Sequence, residues 1–148
     1  MQETELQQDC EAYRQLLDLW VKENAIKTSK LQMLLAVNGL LLAVVSLNGG
    51  FVAMNWPIYL GGAILSLVWT LSVGRTCLFQ KIWQTKIKAL ATKYPQDSRF
   101  QVHVTRDAVQ SVSRFLQVLG GVPSRYYLIG TPALFGLGWL SLLIYTVL

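Results

Sequence analysis

Three long stretches of the chain are apolar and almost free of charge, and the segments around them are rich in polar and charged residues. The apolar stretches are residues 31–54, 57–79 and 126–148. At a rise of about 1.5 Å per residue, a helix of this length crosses the roughly 30 Å hydrocarbon core of a bilayer. The pattern therefore predicts an all-α integral membrane protein with three transmembrane helices.

Glycine and proline mark the expected ends of these helices. Gly49 and Gly50 can end the first helix early, leaving a core of 31–47. Pro57 suits a first helical position, because the N–H that proline lacks would have no partner there. Pro132 lies inside the third stretch, where we expect a kink or the cap of a short preceding turn.

The segment before the first apolar stretch, residues 1–30, is predicted to be a cytoplasmic amphipathic helix. Its apolar positions alternate at spacings of four and three, which is the heptad pattern of a coiled coil. Two heptads are too few to form a stable coiled coil alone. We favour self-association of an arm that extends the first span; packing on the chain's own 80–125 segment is the alternative. The seam consists of Leu6, Cys10, Tyr13, Leu17 and Trp20.

Residues 80–125 are predicted to be a basic cytoplasmic helical hairpin. Residues 78–94 read as a continuation of the second span, and 95–98 as a turn. Residues 100–104 are compatible with a short strand or with the approach to a helix at 105–120. From Lys81 onward this segment contains eight basic and two acidic residues, which is a surplus of six positive charges.

Two ligands suit this positive charge: anionic lipid headgroups, or an anionic signal such as a nucleotide. A glycine-rich phosphate loop is missing from the sequence, which favours lipid. A cytoplasmic protein is a further partner to consider, and nucleic acid is not expected. The candidate contacts are Lys81, Lys88, Arg99, Arg106, Arg114 and Arg125.

Composition and charge distribution support a membrane location and suggest an orientation. The chain is 53% hydrophobic and only 14% charged, whereas soluble domains carry about 25% charge. Residues 48–57 carry no charge, and basic residues are concentrated between Arg75 and Arg125. Because basic loops stay inside, we expect a cytoplasmic N-terminus and a periplasmic or extracellular C-terminus. The acidic first thirty residues do not resemble a cleavable signal peptide.

Candidate chemistry is sparse, so an enzyme is not expected, and neither are a metal site or a cofactor. His103 has no nucleophile near it in sequence, and the spacing of Cys10 and Cys77 fits no metal site. Asn38 is the most polar residue deep in the first span. It is expected to make a hydrogen bond between helices, or else to line a polar pore at a symmetry axis.

Small and bulky residues in the spans predict close helix contacts. Gly62 and Ser66 form a small-xxx-small pair, which allows two helix backbones to approach closely. Trp69 and Trp139 are bulky side chains set well inside their spans. Three helices bury few of their own faces, so we expect these residues to pack against neighbouring copies in a homo-oligomer.

Several short motifs resemble a known family. They are Leu19-Trp20 with Glu23, the run Gly62-Ala-Ile-Leu-Ser66-Leu-Val-Trp69, Trp83, and Ser111-Val-Ser113-Arg114. In these motifs the chain is similar to the RipA-like family of small octameric bacterial inner-membrane proteins. The resemblance implies a ring-like assembly in the cytoplasmic membrane with a role in stress adaptation or growth inside hosts.

The function expected from these patterns is a structural or stress-adaptation role in the bacterial inner membrane, in a ring or conduit. Two alternatives remain open. One is a membrane-disrupting effector of a defence system that a cytoplasmic signal gates. The other is a membrane scaffold without a pore that binds a cytoplasmic partner.

Overall fold

The computed structural model describes residues 2–102 and 113–147 and is all-α, which confirms the all-α part of the predicted fold class. In chain order the elements are α1 (Gln2–Leu47), a 3-10 turn (Ala53–Asn55), α2 (Trp56–Lys93), a second 3-10 turn (Ser98–Phe100), α3 (Arg114–Gly120) and α4 (Ser124–Val147). His103, Arg106 and the first half of the helix predicted at 105–120 lie outside the described residues.

Three of these helices are long and apolar enough to cross a membrane, as predicted. The qualifying segments are Thr4–Leu47, Ala53–Lys93 and Ser124–Thr146. The first two also contain the polar segments next to their apolar stretches, because α1 and α2 continue without a break beyond them. Residues 3–30 and 78–93 are therefore helical extensions of the first two candidate spans.

The first helix ends at Leu47, which corresponds to the shorter core of 31–47. Gly49 and Gly50 have φ values of 89° and 84°, a region that glycine enters at little steric cost. The Gly50 N–H reaches back to the Val45 carbonyl at 2.9 Å, as in a Schellman-type helix end. The buried Asn55 side chain donates to the Gly50 carbonyl at 2.7 Å and fixes the turn.

Two further predictions, for Pro132 and for residues 100–104, can be compared with the observed helices and turns. Helix α4 is continuous through Pro132, so this proline does not cap a separate preceding turn. Phe100 belongs to the second 3-10 turn, and neither Gln101 nor Val102 forms a strand. In the described part of 100–104 the strand alternative is therefore wrong.

The chain divides into two compact units. Unit 1 comprises Met1–Ala25 and Cys77–Pro123, and unit 2 comprises Ile26–Thr76 and Ser124–Leu148. Each has its own apolar core. The core of unit 1 is formed by Tyr13, Ile87 and Phe100, and that of unit 2 by Val45, Tyr59, Ala63 and Trp139.

Burial along α1 follows one uninterrupted heptad pattern. The predicted seam at Leu6–Trp20 continues at the same spacings of four and three to Val45, and every member is buried or half-buried. Its further members are Asn24, Lys27, Leu31, Leu34, Asn38, Leu41 and Val45. A sustained repeat of 3.5 residues is typical of helices that pack lengthwise against a partner, and here the partners are other segments of the same chain.

Candidate functional sites

The predicted seam of the N-terminal arm packs inside unit 1. Tyr13 is only 1% exposed and meets the Phe100 ring edge-on, with centroids 5.2 Å apart. Leu6, Cys10, Leu17 and Trp20 pack against the same cluster. The structure thus follows the alternative in which the arm packs on the chain's own 80–125 segment. Ile87 and Phe100 cover the seam within the same chain.

A polar cluster lies beside this apolar core. Lys93 Nζ lies 2.6 Å from Asp9 Oδ2 and 2.8 Å from Glu5 Oε1. The Tyr94 hydroxyl donates a hydrogen bond to Asp9 Oδ2 at 2.7 Å. These two donors stabilise the charged carboxylate and hold the pKa of Asp9 below its ordinary value, Lys93 contributing most. The bond to Asp9 also raises the pKa of Lys93 and that of Tyr94.

Arg99, a candidate anion contact, is engaged by a neighbouring carboxylate. Its guanidinium forms a forked pair with Asp97, in which Nη2 lies 2.6 Å and Nε 3.0 Å from the carboxylate oxygens. Asp97 also accepts the Arg99 backbone N–H at 3.0 Å. The guanidinium holds the pKa of Asp97 below its usual range. Arg99 therefore stabilises the turn and offers little free charge to a ligand.

The other basic candidates that the structure describes are exposed, each on its own unit. Lys81 and Lys88 are exposed on α2 and stand two turns apart, about 10 Å along the axis. Arg114 is exposed in unit 1. Arg125, in unit 2, lies over the Tyr126 ring, 4.9 Å from its centroid. Arg106, the sixth candidate, lies outside the described residues.

Polar side chains join α1 and α2 near the cytoplasmic end expected for the spans. The Lys30 ammonium donates to Thr76 Oγ1 at 2.8 Å and to the Ser72 carbonyl at 3.2 Å. The Trp69 indole donates to the Lys30 carbonyl at 2.9 Å. Trp69 was expected to face a neighbouring copy, but this bond turns its polar edge towards α1 of its own chain. Lys27, one turn before Lys30, is 4% exposed.

Asn38 connects two helices of unit 2. It is 1% exposed, its amide donates to the Leu34 carbonyl at 2.9 Å, and its Oδ1 accepts the Trp139 indole N–H at 2.7 Å. Both ends of the side chain are thus engaged within one chain. This geometry matches the interhelical hydrogen bond, and it leaves no polar atom of Asn38 facing a pore.

Trp139 is the centre of packing in unit 2 rather than an outward-facing side chain. It is 3% exposed, and its ring stacks on Tyr59 with centroids 6.3 Å apart. A Cβ atom at Gly62 would lie 2.6 Å from the Trp139 ring, so the absence of a side chain at Gly62 makes room for the indole. Gly62 and Trp139, both predicted contact residues, therefore meet each other.

Ser66 lies at the bottom of a groove between α2 and α4. A Cβ at Gly136 would lie 3.3 Å from the Ser66 Cβ, so the two helices approach closely here. The Ser66 hydroxyl is buried and has no hydrogen-bond partner among the described residues. The groove has a volume of about 450 Å³, and larger residues, including Leu60, Ile64 and Leu140, line it as well.

Sequence reasoning missed several of these contacts. The bonds of Lys30 with Thr76 and of Lys93 with Asp9 join residues far apart in sequence. No local spacing signals these pairs. The buried face of α1 could have been followed beyond Trp20 by its heptad spacing, but the polar members Asn24 and Lys27 hide it from a search for apolar residues. Within the described residues, no group of three His, Cys, Asp or Glu is placed to hold a metal ion.

Comparison of the chain with protein-family models, with curated proteins and with solved structures found no match. The functional argument therefore rests on the chain's own geometry.

Proposed function

We propose that the protein is a non-enzymatic structural subunit of a homo-oligomeric assembly in the bacterial inner membrane, with a role in envelope stress adaptation. One observation supports the membrane location in this proposal most directly. Two polar pairs of unit 2, Asn38–Trp139 and Lys30–Thr76, are bonded within the chain, while large apolar side chains face outwards.

The outward apolar surface requires a membrane or partners to cover it. Leu47, Leu134 and Leu71 are 86%, 70% and 66% exposed, and each lies on a different long helix. Soluble monomers rarely expose apolar patches beyond a few hundred Å². A bilayer covers such a surface, and so do further copies of the chain.

The orientation follows from charge. Lys81, Lys86 and Lys88 are exposed on the extension of α2, and basic segments of this kind remain on the cytoplasmic side. This charge supports a cytoplasmic location for unit 1, where each basic residue near anionic headgroups contributes about 1 kcal/mol of attraction. The C-terminal end of α4 then faces the periplasm or the exterior.

A conduit in such an assembly would run between copies. Asn38 is the most polar residue deep in α1, and both ends of its side chain are bonded inside one chain. A ring of copies with a lipid-filled or closed axis acts as a structural component or a scaffold. A ring with an open axis acts as a conduit or as the signal-gated effector.

The test is to extract the protein in lipid nanodiscs and measure the mass of the assembly. We expect several copies, and eight if the resemblance to the RipA-like family extends to its assembly. Ion flux through liposomes that contain the protein separates the conduit and effector from the scaffold. A protein that remains monomeric in native lipid at all concentrations would contradict the proposal.

A further inference from the structure

The groove between α2 and α4 lies entirely within unit 2 and has a buried floor and exposed walls. Its floor is formed by small or buried residues, of which Ala63 is 7% and Ser66 is 1% exposed. Large apolar side chains rise past this floor on both sides and are exposed. We call this surface the α2–α4 groove. Its walls are Leu60, Ile64 and Leu67 on α2 and Leu137 and Leu140 on α4.

The α2–α4 groove has the dimensions of a single hydrocarbon chain. Because a Cβ at Gly136 would lie 3.3 Å from the Ser66 Cβ, the furrow between the two helices is narrower than the roughly 10 Å diameter of a helix. A third helix would rest on the walls and leave the floor empty, which forfeits packing contacts. The volume of about 450 Å³ accommodates about 15 methylene groups at ~30 Å³ each, a water molecule's share of the liquid.

The depth of the groove in the bilayer follows from helix geometry. Arg75 follows Ser66 by nine residues of α2, which is about 14 Å along the axis. Arg125 precedes Gly136 by eleven residues of α4, which is about 17 Å. On the opposite side Trp56, which is 50% exposed, lies about 15 Å from Ser66. Since half of the hydrocarbon core is about 15 Å thick, the groove spans the middle of the bilayer and both arginines reach the same headgroup layer.

Both arginines also lie on the side of their helix that borders the groove. Eleven residues make about three full turns of an α-helix, and seven make about two. Arg75 follows the wall residue Ile64 by eleven positions. Arg125 precedes the floor residue Pro132 by seven positions, and α4 is continuous through Pro132. Two exposed arginines are therefore in line with one end of the groove.

The guanidinium of Arg125 is oriented by neutral groups. It lies 4.9 Å from the centroid of the Tyr126 ring, and its Nη2 donates to the Tyr126 hydroxyl at 3.2 Å. In the described part of the chain no carboxylate pairs with Arg125. A guanidinium has five N–H donors, so most of them remain for an anion.

Unit 2 as a whole has positive charge at this end and no acidic residue to balance it. Lys30 donates only to neutral oxygens, the Thr76 hydroxyl and the Ser72 carbonyl. An anionic headgroup is the counter-ion that a bilayer offers at this depth. In sequence, 26–76 and 124–148 contain neither Asp nor Glu, and their basic residues are Lys27, Lys30, Arg75 and Arg125.

We propose that unit 2 binds one anionic phospholipid, whose phosphate lies between Arg75 and Arg125 and one of whose acyl chains fills the α2–α4 groove. Arginine pairs with phosphate through two parallel hydrogen bonds. The acyl chain covers the roughly 8–10 Å between the arginines and the first groove residues, Thr70 and Pro132, and then follows the floor. The proposal rests on the membrane location put forward above and is independent of the number of copies in the assembly.

Photo-cross-linking with defined lipids tests this site. The full chain is placed in phosphatidylcholine nanodiscs that contain a small fraction of a probe lipid with a diazirine on its acyl chain. The probe is either phosphatidylglycerol or phosphatidylcholine, and labelled residues are mapped by mass spectrometry. We expect phosphatidylglycerol to label Leu67 and Leu137 at least fivefold more than phosphatidylcholine does. Fivefold corresponds to the attraction of about 1 kcal/mol that one basic residue exerts on an anionic headgroup.

A second groove of unit 2 is the internal control. It is lined by Leu42 of α1 and by Thr131 and Leu134 of α4, among others, and its volume of about 440 Å³ is almost the same. Seven residues before Thr131 and Leu134 are Ser124 and Tyr127, so no basic residue of α4 is in line with it. Both probes should label this groove equally. Equal labelling of the α2–α4 groove by both probes would overturn the proposal.

Charge variants test the phosphate contact. Arg75→Gln and Arg125→Gln should each lower the labelling by phosphatidylglycerol about fivefold, whereas Arg125→Lys, which retains the charge, should keep most of it. Lys88→Gln removes an exposed charge in unit 1 and should have no effect. Labelling that is unchanged when both arginines are replaced would show that the phosphate is bound elsewhere.

A filling variant tests the acyl chain. Ala133→Phe places a ring in the α2–α4 groove and should lower the labelling of its walls while the second groove is labelled as before. Val68→Phe is the control, because Val68 is 54% exposed on α2 and lines neither groove. If Ala133→Phe is labelled like the wild type, the chain does not lie in the groove.

The mass of the protein in the same nanodiscs separates this inference from the proposed function. A monomer that is labelled selectively by phosphatidylglycerol overturns the homo-oligomer and leaves the lipid site standing. An oligomer whose α2–α4 groove is labelled by neither probe shows that a neighbouring copy covers the groove. That result overturns the lipid site and leaves the assembly standing.

Discussion

At the scale of single residues, buried polar side chains determine how the three helices of unit 2 fit together. Asn38 Oδ1 accepts a hydrogen bond from the Trp139 indole, and Asn38 Nδ2 donates one to the Leu34 carbonyl, so both polar atoms of the side chain have a partner. The Ser66 hydroxyl has none among the described residues. A buried polar group contributes to stability only when it is paired, so Asn38 and Ser66 act in opposite directions.

Replacing Asn38 by leucine should destabilise the fold. Asn38→Leu keeps the side-chain size but leaves the buried Trp139 indole N–H without an acceptor. We expect a loss of about 0.6–2 kcal/mol, the range for hydrogen bonds between membrane helices. The measurement is the unfolding midpoint in detergent titrated with denaturing surfactant. Ser46→Ala is the control, because Ser46 is exposed and bonds only its own helix at Leu42; equal losses in both variants would contradict the role of Asn38.

A methyl group at Gly62 tests the contact between α2 and Trp139. Gly62→Ala places a Cβ about 2.6 Å from the indole ring, and the overpacking should cost about 1–3 kcal/mol. Gly61→Ala, one residue away on the same helix, meets nothing within 4 Å and should be neutral or slightly stabilising. Thermal unfolding of the two variants in the same detergent provides the comparison, and a neutral Gly62→Ala would show that Trp139 does not occupy this site.

At the scale of elements, the N-terminal arm is joined to the end of α2 by an apolar cluster and a charged cluster. Tyr13 and Phe100 supply the apolar contact, and Lys93 with Asp9 and Glu5 supplies the ion pairs. These ion pairs are exposed, so salt screens them and the apolar contact contributes the larger share.

The pH dependence of this junction follows from the two shifted groups. The pKa of Asp9 is lowered from its ordinary value of 3.8, so its contribution is present above that value and is lost as the pH falls through the lowered pKa. The pKa of Lys93 is raised from 10.5, so its contribution is complete below 10.5 and is lost as the pH rises through the raised value. Between these limits the junction should be insensitive to pH.

Hydrogen exchange of residues 2–25 measures this directly. Amide protection in the arm should be constant from about pH 5 to pH 9 after correction for intrinsic exchange, and it should fall below about pH 4. In Asp9→Asn the acid-dependent step attributable to this group should disappear. Asp18→Asn is the control, because Asp18 pairs only with Lys22 one turn away on α1; a step that Asp18→Asn removes and Asp9→Asn leaves would contradict the assignment.

At the scale of the whole molecule, the sequence predicted the number and type of long helices but not what their faces contact. Length and hydropathy sufficed for three candidate spans, because both are local properties of the chain. The sequence showed the heptad pattern at Leu6–Trp20 but did not decide which surface it packs against. The same pattern suits another copy of the chain as well as the chain's own Ile87 and Phe100. Trp69 and Trp139 were placed outwards for the same reason: spacing identifies a face but not its neighbour.

The residues of the candidate sites also fall into those that the sequence indicated and those that it did not. Asn38 and Gly62 were singled out from residue type alone, because an amide or a glycine inside an apolar helix usually has a packing role. Asp9, Lys30 and Lys93 were not, since charged residues near helix ends are common and their partners lie more than forty residues away in sequence. Predicting such pairs requires the register between helices, which no local pattern contains.

The Asn38–Trp139 bond joins residues 101 positions apart, and this separation bears on how the protein is made. Because α4 follows α1 and α2 in the chain, Trp139 is synthesised only after both of these helices. Until α4 has been synthesised, Asn38 Oδ1 lacks the indole N–H that it accepts in the complete fold. A chain cut short before Ser124 would keep the Asn38 bond to Leu34 but would leave the buried Asn38 oxygen without its donor, so α1 and α2 should become fully stable only once α4 is added.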